Sequence, residues 1–79
     1  MSYSAFVEDL VKSVVEQPEA IEIEEEEQDG TRTFYITCAQ EDIGKVIGKS
    51  GRVVSAIRCV VSAVAAKSRE RAFIKVVTE

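Results

Sequence analysis

The 79-residue sequence has no histidine or tryptophan, only one proline and only two cysteines. Without histidine, and with Cys38 and Cys59 outside any CxxC spacing, it offers no zinc-ligand set and no cysteine–histidine catalytic pair. The two thiols fall in an apolar strand pattern and an apolar helix pattern, so we expect small, buried, reduced packing residues. A disulfide between them is the alternative that two isolated cysteines leave open. We expect neither a metal nor any other cofactor.

Long apolar runs are also missing. No run approaches the roughly 20 residues that a membrane-spanning helix needs, and the first thirty residues combine one lysine with many acids, unlike a secretory signal. We therefore expect a cytoplasmic protein with no membrane partner. Hydrophobic residues make up 46% of the chain and aromatic residues 6%, which indicates a core of valine, isoleucine and alanine. At this length we expect a single domain over residues 1–79.

The formal net charge is −4, but the two signs are divided unevenly along the chain. Residues 1–44 sum to −10 and residues 45–79 sum to +6. Because distant charges are screened over roughly 10 Å, phosphates respond to the local field, and a basic half can bind nucleic acid in an acidic protein. Ordinary solvated surface is the alternative explanation of the same pattern.

Hydrophobic periodicity predicts an α+β chain in the order α-β-β-α-α-β. The predicted elements are a helix over 3–16, strands over 20–27 and 32–38, helices over 40–47 and 52–67, and a strand over 72–78. Pro18 ends the first helix, and Asp29-Gly30 favours a tight hairpin turn between the first two strands. Glu41 and Asp42 suit the N-terminus of the next helix. We interpret the acidic run 24–27 as a solvated strand edge rather than as an interaction tail.

One segment carries the functional signal: Ile43-Gly44-Lys45-Val46-Ile47-Gly48-Lys49-Ser50-Gly51-Arg52-Val53-Val54. It resembles the signature of the KH family of RNA-binding domains, in which a GxxG loop joins two short helices. Here the loop is Gly48-Lys49-Ser50-Gly51. With an additional helix and strand before this core, the chain resembles the type II KH fold, a three-stranded mixed sheet with helices packed on one face. It is similar in particular to small bacterial single-KH proteins of the KhpA type.

The resemblance implies a non-catalytic RNA chaperone or regulator that clamps about four nucleotides of single-stranded RNA, with the bases in an apolar groove. Two glycines let the backbone reverse close to a sugar-phosphate strand, and helix N-terminal amides can hold phosphate oxygens. The resemblance also implies a homodimer, or a heterodimer with a larger Jag-type KH protein. The RNA-binding positions that it implies are Gly44, Lys45, Ile47, Gly48, Lys49, Ser50, Gly51, Arg52 and Val54.

Apolar residues on the two helices have a competing explanation, since each could simply belong to the core. We expect core packing for Val46, Val53, Ile57, Val60 and Val64. For Ile47 and Val54 the two explanations, core packing and groove lining, have equal support, and partial exposure of the side chains would favour groove lining. The apolar surface of the second long helix is the candidate dimer interface, and the first helix is its alternative. That surface comprises Val60, Val61, Ala63, Val64, Ala65 and Ala66.

Two other functions have some support in the sequence. Residues 44–50 read GKVIGKS, which resembles a nucleotide-binding P-loop, but only three residues separate the glycines where that motif has four. We therefore expect no enzyme. A KH-fold protein–protein adaptor with little RNA binding of its own is the alternative function. The net charge favours that alternative, whereas Lys49 and Ser50 inside the loop favour RNA.

Overall fold

The structure, a computed structural model, describes residues 3–78. All six predicted elements are present in the predicted order, which confirms the α+β class. They are α1 (Tyr3–Lys12), β1 (Glu22–Gln28), β2 (Thr31–Thr37), α2 (Ile43–Ile47), α3 (Arg52–Ala66) and β3 (Arg71–Val76). Short 3-10 turns lie at Pro18–Ala20, Gln40–Asp42 and Lys49–Gly51. No helix within residues 3–78 has both the length and the apolar character needed to cross a membrane.

The three strands form one mixed sheet in the order β1-β2-β3. β1 and β2 are antiparallel, and the turn between them has positive φ at Asp29 (52°) and Gly30 (78°), as a tight hairpin turn requires. β2 and β3 are parallel, and the chain between them makes α2 and α3 before it returns. This confirms the mixed sheet and places the GxxG segment inside the parallel crossover.

The core lies between the helices and one face of the sheet. Phe34 and Ile36 on β2 are fully buried, because alternate strand residues point to the same face. The other buried apolar side chains are Val7, Val11, Ile21, Val46, Ile57, Val61, Ala65 and Ala72. The opposite set of strand residues, which includes Phe73 at 45% exposure, faces away from the helices.

Helix α1 is shorter than the periodicity predicts, ending at Lys12 and not at residue 16. After Lys12 the backbone tightens: the Ser13 hydroxyl donates to the Leu10 carbonyl at 2.6 Å, and the Val14 N–H donates to the Val11 carbonyl at 3.1 Å. A serine that bonds the preceding turn competes with helix continuation. Val14 still packs against the core from outside the helix.

Asp42 lies at the N-terminus of α2, as the sequence predicts, but its hydrogen bonds go elsewhere. Its side chain is 1% exposed and makes no capping hydrogen bond to α2. Instead its carboxylate accepts the backbone N–H of Glu16 at 3.2 Å and of Gln17 at 2.9 Å. The acid therefore ties the segment after α1 to the start of α2.

Burial on α3 differs from the predictions at four positions. Cys59 is exposed, although Cys38 is half-buried and burial raises the pKa of its thiol; both cysteines are free. Val60 is 44% exposed and so does not belong to the core, whereas Val61 is fully buried and cannot form a docking surface. Ala65 is also buried. The 3.6-residue period places positions 61 and 65 toward the sheet, so the candidate interface on α3 keeps only part of its apolar area.

The acidic edge strand behaves as expected. β1 has one neighbour and its glutamates are exposed. Arg32 on β2 forms ion pairs with Glu25 on β1 and with Glu70 before β3, the latter at 3.0 Å. The Arg32 guanidinium also lies 4.9 Å from the centre of the Tyr3 ring. One arginine thus links α1, β1, β2 and the residue that precedes β3 at this end of the sheet.

Candidate nucleic-acid interface

The GxxG loop has an unusual backbone. Gly48 has φ 79° and ψ 171°, Ser50 has φ 58° and ψ 28°, and Gly51 has φ 74° and ψ 17°. Left-handed conformations at three of four residues reverse the chain between α2 and α3 within one turn, closed by a hydrogen bond from the Gly51 N–H to the Gly48 carbonyl at 3.1 Å. The left-handed conformation is strained for Ser50, whereas a glycine would adopt it without strain. Strained residues of this kind concentrate at functional sites.

The two loop glycines are required for different reasons. A Cβ on Gly48 would lie 2.4 Å from Val53 Cγ2 and 2.7 Å from the Val53 backbone nitrogen. A Cβ on Gly51 would meet no atom within 4 Å. Gly48 is therefore fixed both by its dihedral angles and by close packing on α3, whereas Gly51 is fixed by its dihedral angle alone.

The side chains of the loop project into solvent. Lys49, Ser50 and Arg52 are all exposed. The Arg52 N–H donates to the Lys49 carbonyl, so this amide at the start of α3 is already used within the loop. That limits the expected role of the helix N-terminal amides and shifts the expected phosphate contact toward the exposed side chains.

The apolar residues beside the loop fall into a buried pair and a half-buried pair. Val46 and Ile57 are buried, whereas Ile47 and Val54 are half-buried, which is the partial exposure that favours the groove. Gly44 is exposed, and nothing within 4 Å would contact a Cβ there. Both α2 and α3 contact β3. Ile47 ends α2 and Val54 lies in the first turn of α3, so the two half-buried side chains flank the loop.

Basic side chains near the loop differ in their partners. The Lys45 Nζ lies 3.0 Å from a carboxylate oxygen of Glu16, and this hydrogen bond raises the pKa of Lys45. Within residues 3–78, Lys49, Arg52 and Arg58 form no ion pair. Lys49, Arg52 and Arg58 thus place unneutralised positive charge on the loop and the adjacent turns of α3, whereas Lys45 is partly neutralised. Lys67, Arg69, Arg71 and Lys75, further along the chain, form no ion pair within the same residues.

A cavity that the sequence did not reveal opens at the other end of α2. It has a volume of about 280 Å³ and is lined by Thr37, Cys38, Gln40, Ile43 and Val77. Ile43 precedes Ile47 by one helical turn, so the two side chains lie on the same side of α2. The four-residue spacing of Ile43 and Ile47 was the signal in the sequence that could have indicated this cavity. The part of its lining that comes from the ends of β2 and β3 depends on the parallel pairing of those strands, which no local pattern shows.

A three-stranded mixed sheet in this order, with a GxxG loop between two helices in the parallel crossover, defines a KH domain of type II. A family model described as "KhpA/KhpB, KH domain" matches residues 4–76. The chain belongs to this family.

Three relatives illustrate the similarity, and each is named RNA-binding protein KhpA. The protein from Oceanobacillus iheyensis is 38% identical over 72 residues, which cover 91% of this chain and 96% of that protein. The Listeria monocytogenes protein is 38% identical over 68 residues, covering 86% and 90% of the two chains. The Chlamydia trachomatis protein is 34% identical over 74 residues, covering 94% and 95%. No solved structure shows a significant match to this chain.

Proposed function

We propose that the chain is a non-catalytic RNA-binding protein that holds short single-stranded RNA segments against the GxxG loop and the neighbouring apolar groove. The observation that carries the proposal is the loop itself, whose glycine-dependent reversal presents Lys49 and Arg52 beside half-buried Ile47 and Val54. Neither basic side chain forms an ion pair with any other residue that the structure describes. The names of the relatives, which describe RNA-binding proteins, support it. The whole chain acts as one domain in this proposal.

Each sequence-predicted residue has a role in the proposal. The loop backbone and Ser50 pass close to the sugar-phosphate strand, and Lys49 and Arg52 attract phosphates. Ile47 and Val54 contact bases, and Gly44 leaves room for them. Lys45 contributes only when it leaves Glu16. The cavity beyond Ile43 is open to a further base.

The proposal includes a cytoplasmic role as an RNA chaperone or regulator, and a paired active form. One groove that holds about four nucleotides binds weakly alone, whereas two linked grooves raise avidity by a factor on the order of a hundred. The partner is a second copy or a larger Jag-type KH protein. The description of the matching family covers KhpB as well as KhpA, which supports a pairing between KH proteins. The protein–protein adaptor is not favoured, because the loop keeps exposed Lys49 and carries no acid.

The test is a polarisation titration with short single-stranded RNA pools. We expect Lys49→Asp with Ser50→Asp to abolish RNA binding, because two carboxylates would repel phosphates at the contact point. The fold should survive, since both side chains are exposed and aspartate tolerates the left-handed conformation at position 50. Circular dichroism should be unchanged.

The chain offers a matched control. The same dipeptide occurs at Lys67-Ser68, exposed beyond the end of α3. Lys67→Asp with Ser68→Asp changes the net charge equally and should leave substantial RNA affinity. If the loop variant binds RNA as tightly as the parent, or if the two double variants lose affinity equally, the GxxG loop is not the contact site.

A further inference from the structure

The sheet face opposite the helices, here called the open face, carries aromatic and basic side chains on two of its three strands. Alternation along a strand assigns each side chain to one face, and Phe34 and Ile36 are buried on the helical side. The open face of β2 and β3 therefore consists of Thr33, Tyr35, Thr37, Arg71, Phe73 and Lys75. Phe73 is 45% exposed and Tyr35 is half-buried, so both rings are accessible from solvent.

The strand register brings the two aromatic rings together and surrounds them with cations. Thr33 pairs with Phe73 and Tyr35 pairs with Lys75, so Phe73 is a diagonal neighbour of Tyr35. Diagonal neighbours on one sheet face lie roughly 7–8 Å apart, within reach of aromatic side chains. Arg71 and Lys75 flank Phe73 along β3, and both are exposed. Neither cation forms an ion pair with any residue that the structure describes.

Accessible rings bordered by cations are complementary to single-stranded nucleic acid. Every base has a π-face that stacks on an aromatic ring, and cations beside the rings attract phosphates. The acidic strand limits this surface on its other side, because Glu24 pairs with Tyr35, and the Tyr35 hydroxyl bonds to Glu26 at 3.3 Å. A bound strand would therefore keep its phosphates over β3, away from β1, and turn its bases toward Phe73 and Tyr35.

The cavity beyond Ile43 joins the open face to the groove beside the loop. Its lining combines Ile43 of α2 with Thr37 and Val77, which continue the open face at the ends of β2 and β3. Val77 is 39% exposed, and its N–H donates to the Ile36 carbonyl at 2.8 Å, so it stays beside β2. Ile43 lies one helical turn before Ile47. A continuous series of accessible side chains therefore runs from the loop, through the cavity, to the open face.

We propose that the open face is a second contact surface for single-stranded RNA, which leaves the groove past Ile43 and stacks bases on Tyr35 and Phe73. The inference rests on the proposed function and extends its binding site beyond the roughly four nucleotides that one groove holds. A ten-nucleotide RNA offers about seven registers to a four-nucleotide site. We therefore expect it to bind more tightly than a tetranucleotide by a factor well above that statistical gain.

Polarisation titrations with labelled RNAs of four and ten nucleotides, both from mixed-sequence pools, test the proposal. Phe73→Ala and Tyr35→Ala should each weaken binding of the ten-nucleotide RNA at least about fivefold, the loss of one stacked base, and leave tetranucleotide affinity unchanged. Tyr35→Phe keeps the ring and should retain most of the affinity. Lys75→Gln should make the salt slope shallower by about 0.7 for the longer RNA alone. Val60→Ala, which removes a similarly exposed apolar side chain from α3, is the matched control and should bind both RNAs like the parent.

Several results would overturn the proposal. Unchanged affinity of both alanine variants for the ten-nucleotide RNA removes the second surface but leaves the loop as the contact site. Equal losses for the two RNA lengths would mean that the rings support the fold or the groove and contact no further bases. Sedimentation velocity of each free variant separates RNA contact from assembly: a loss of affinity that accompanies a change in protein mass would place a protein contact on the open face instead. A parent that binds neither RNA overturns both this inference and the proposed function.

Discussion

At the scale of single residues, the most informative contrast lies between the two glycines of the loop. We expect Gly48→Ala to lower the free energy of unfolding by at least about 2 kcal/mol, since a strained left-handed residue costs ~1–3 kcal/mol before the clash with Val53 is added. Gly51→Ala should cost about 1 kcal/mol, from its dihedral angle alone. Urea denaturation of both variants measures the difference. Equal losses would mean that the close approach of Gly48 to Val53 relaxes without consequence.

The sequence could indicate that these positions need glycine, but not that they need it for different reasons. The GxxG motif is local in sequence, and the resemblance that it carries to the KH family was sufficient to predict the loop. The contact of Gly48 with Val53 depends on how closely α3 returns against the loop, which no pattern of residue types encodes. For the same reason the burial of Cys59 was predicted wrongly, because a rotation of α3 by one position exchanges a buried residue for an exposed one.

At the scale of elements, Asp42 connects parts of the chain that are far apart in sequence. We expect Asp42→Ala to lower the free energy of unfolding by about 1–3 kcal/mol, since the two amides that lose their partner are only partly buried and water replaces part of the lost bonding. Urea denaturation measures the loss. Hydrogen exchange should also accelerate at the amides of Glu16 and Gln17.

Glu41→Ala is the matched control for this substitution. Glu41 precedes Asp42, is exposed and forms no ion pair within the described part of the chain, so its removal should change stability by no more than about 0.5 kcal/mol. If both variants lose the same stability, the two hydrogen bonds of Asp42 contribute little and the acid acts only on the adjacent helix.

The elements themselves were largely predictable. Periodicity of 3.6 and 2 residues predicted all six, and Asp29-Gly30 predicted the hairpin, because these signals are local. The end of α1 was not predicted, since Ser13 closes the helix through its own side chain. The parallel pairing of β2 with β3 came from the family resemblance and the element order. The tether at Asp42 joins positions 26 residues apart, and a single sequence carries no signal for such a pair.

At the scale of the whole molecule, charge governs how RNA binding depends on salt. Lys49, Arg52 and Arg58 form no ion pair with the described residues, so we expect two to three phosphate contacts and a slope of about −1.4 to −2.1 in a plot of log affinity against log salt. We expect Glu16→Gln to release Lys45, raise RNA affinity and steepen the slope by about 0.7. Polarisation titrations at several salt concentrations measure both quantities.

Glu19→Gln removes the same charge from an exposed residue that has no ion pair within residues 3–78, and it serves as the control. It should change the affinity slightly through the net charge and leave the slope unchanged. Identical slopes for the parent and Glu16→Gln would show that Lys45 does not contact phosphate even when it is free.

The parallel pairing of β2 with β3 also determines when the proposed RNA groove can form. Thr31 pairs with Arg71, 40 positions later, whereas the β1–β2 hairpin joins neighbouring segments and can form within microseconds. Closing the longer loop is entropically slower, and the ribosome makes β3 after β1 and β2. At roughly 5–20 residues per second, a nascent chain exposes its hairpin and its GxxG segment for seconds before β3 arrives. A translating chain therefore has no finished groove to offer to RNA, its own messenger included, until β3 has left the ribosome.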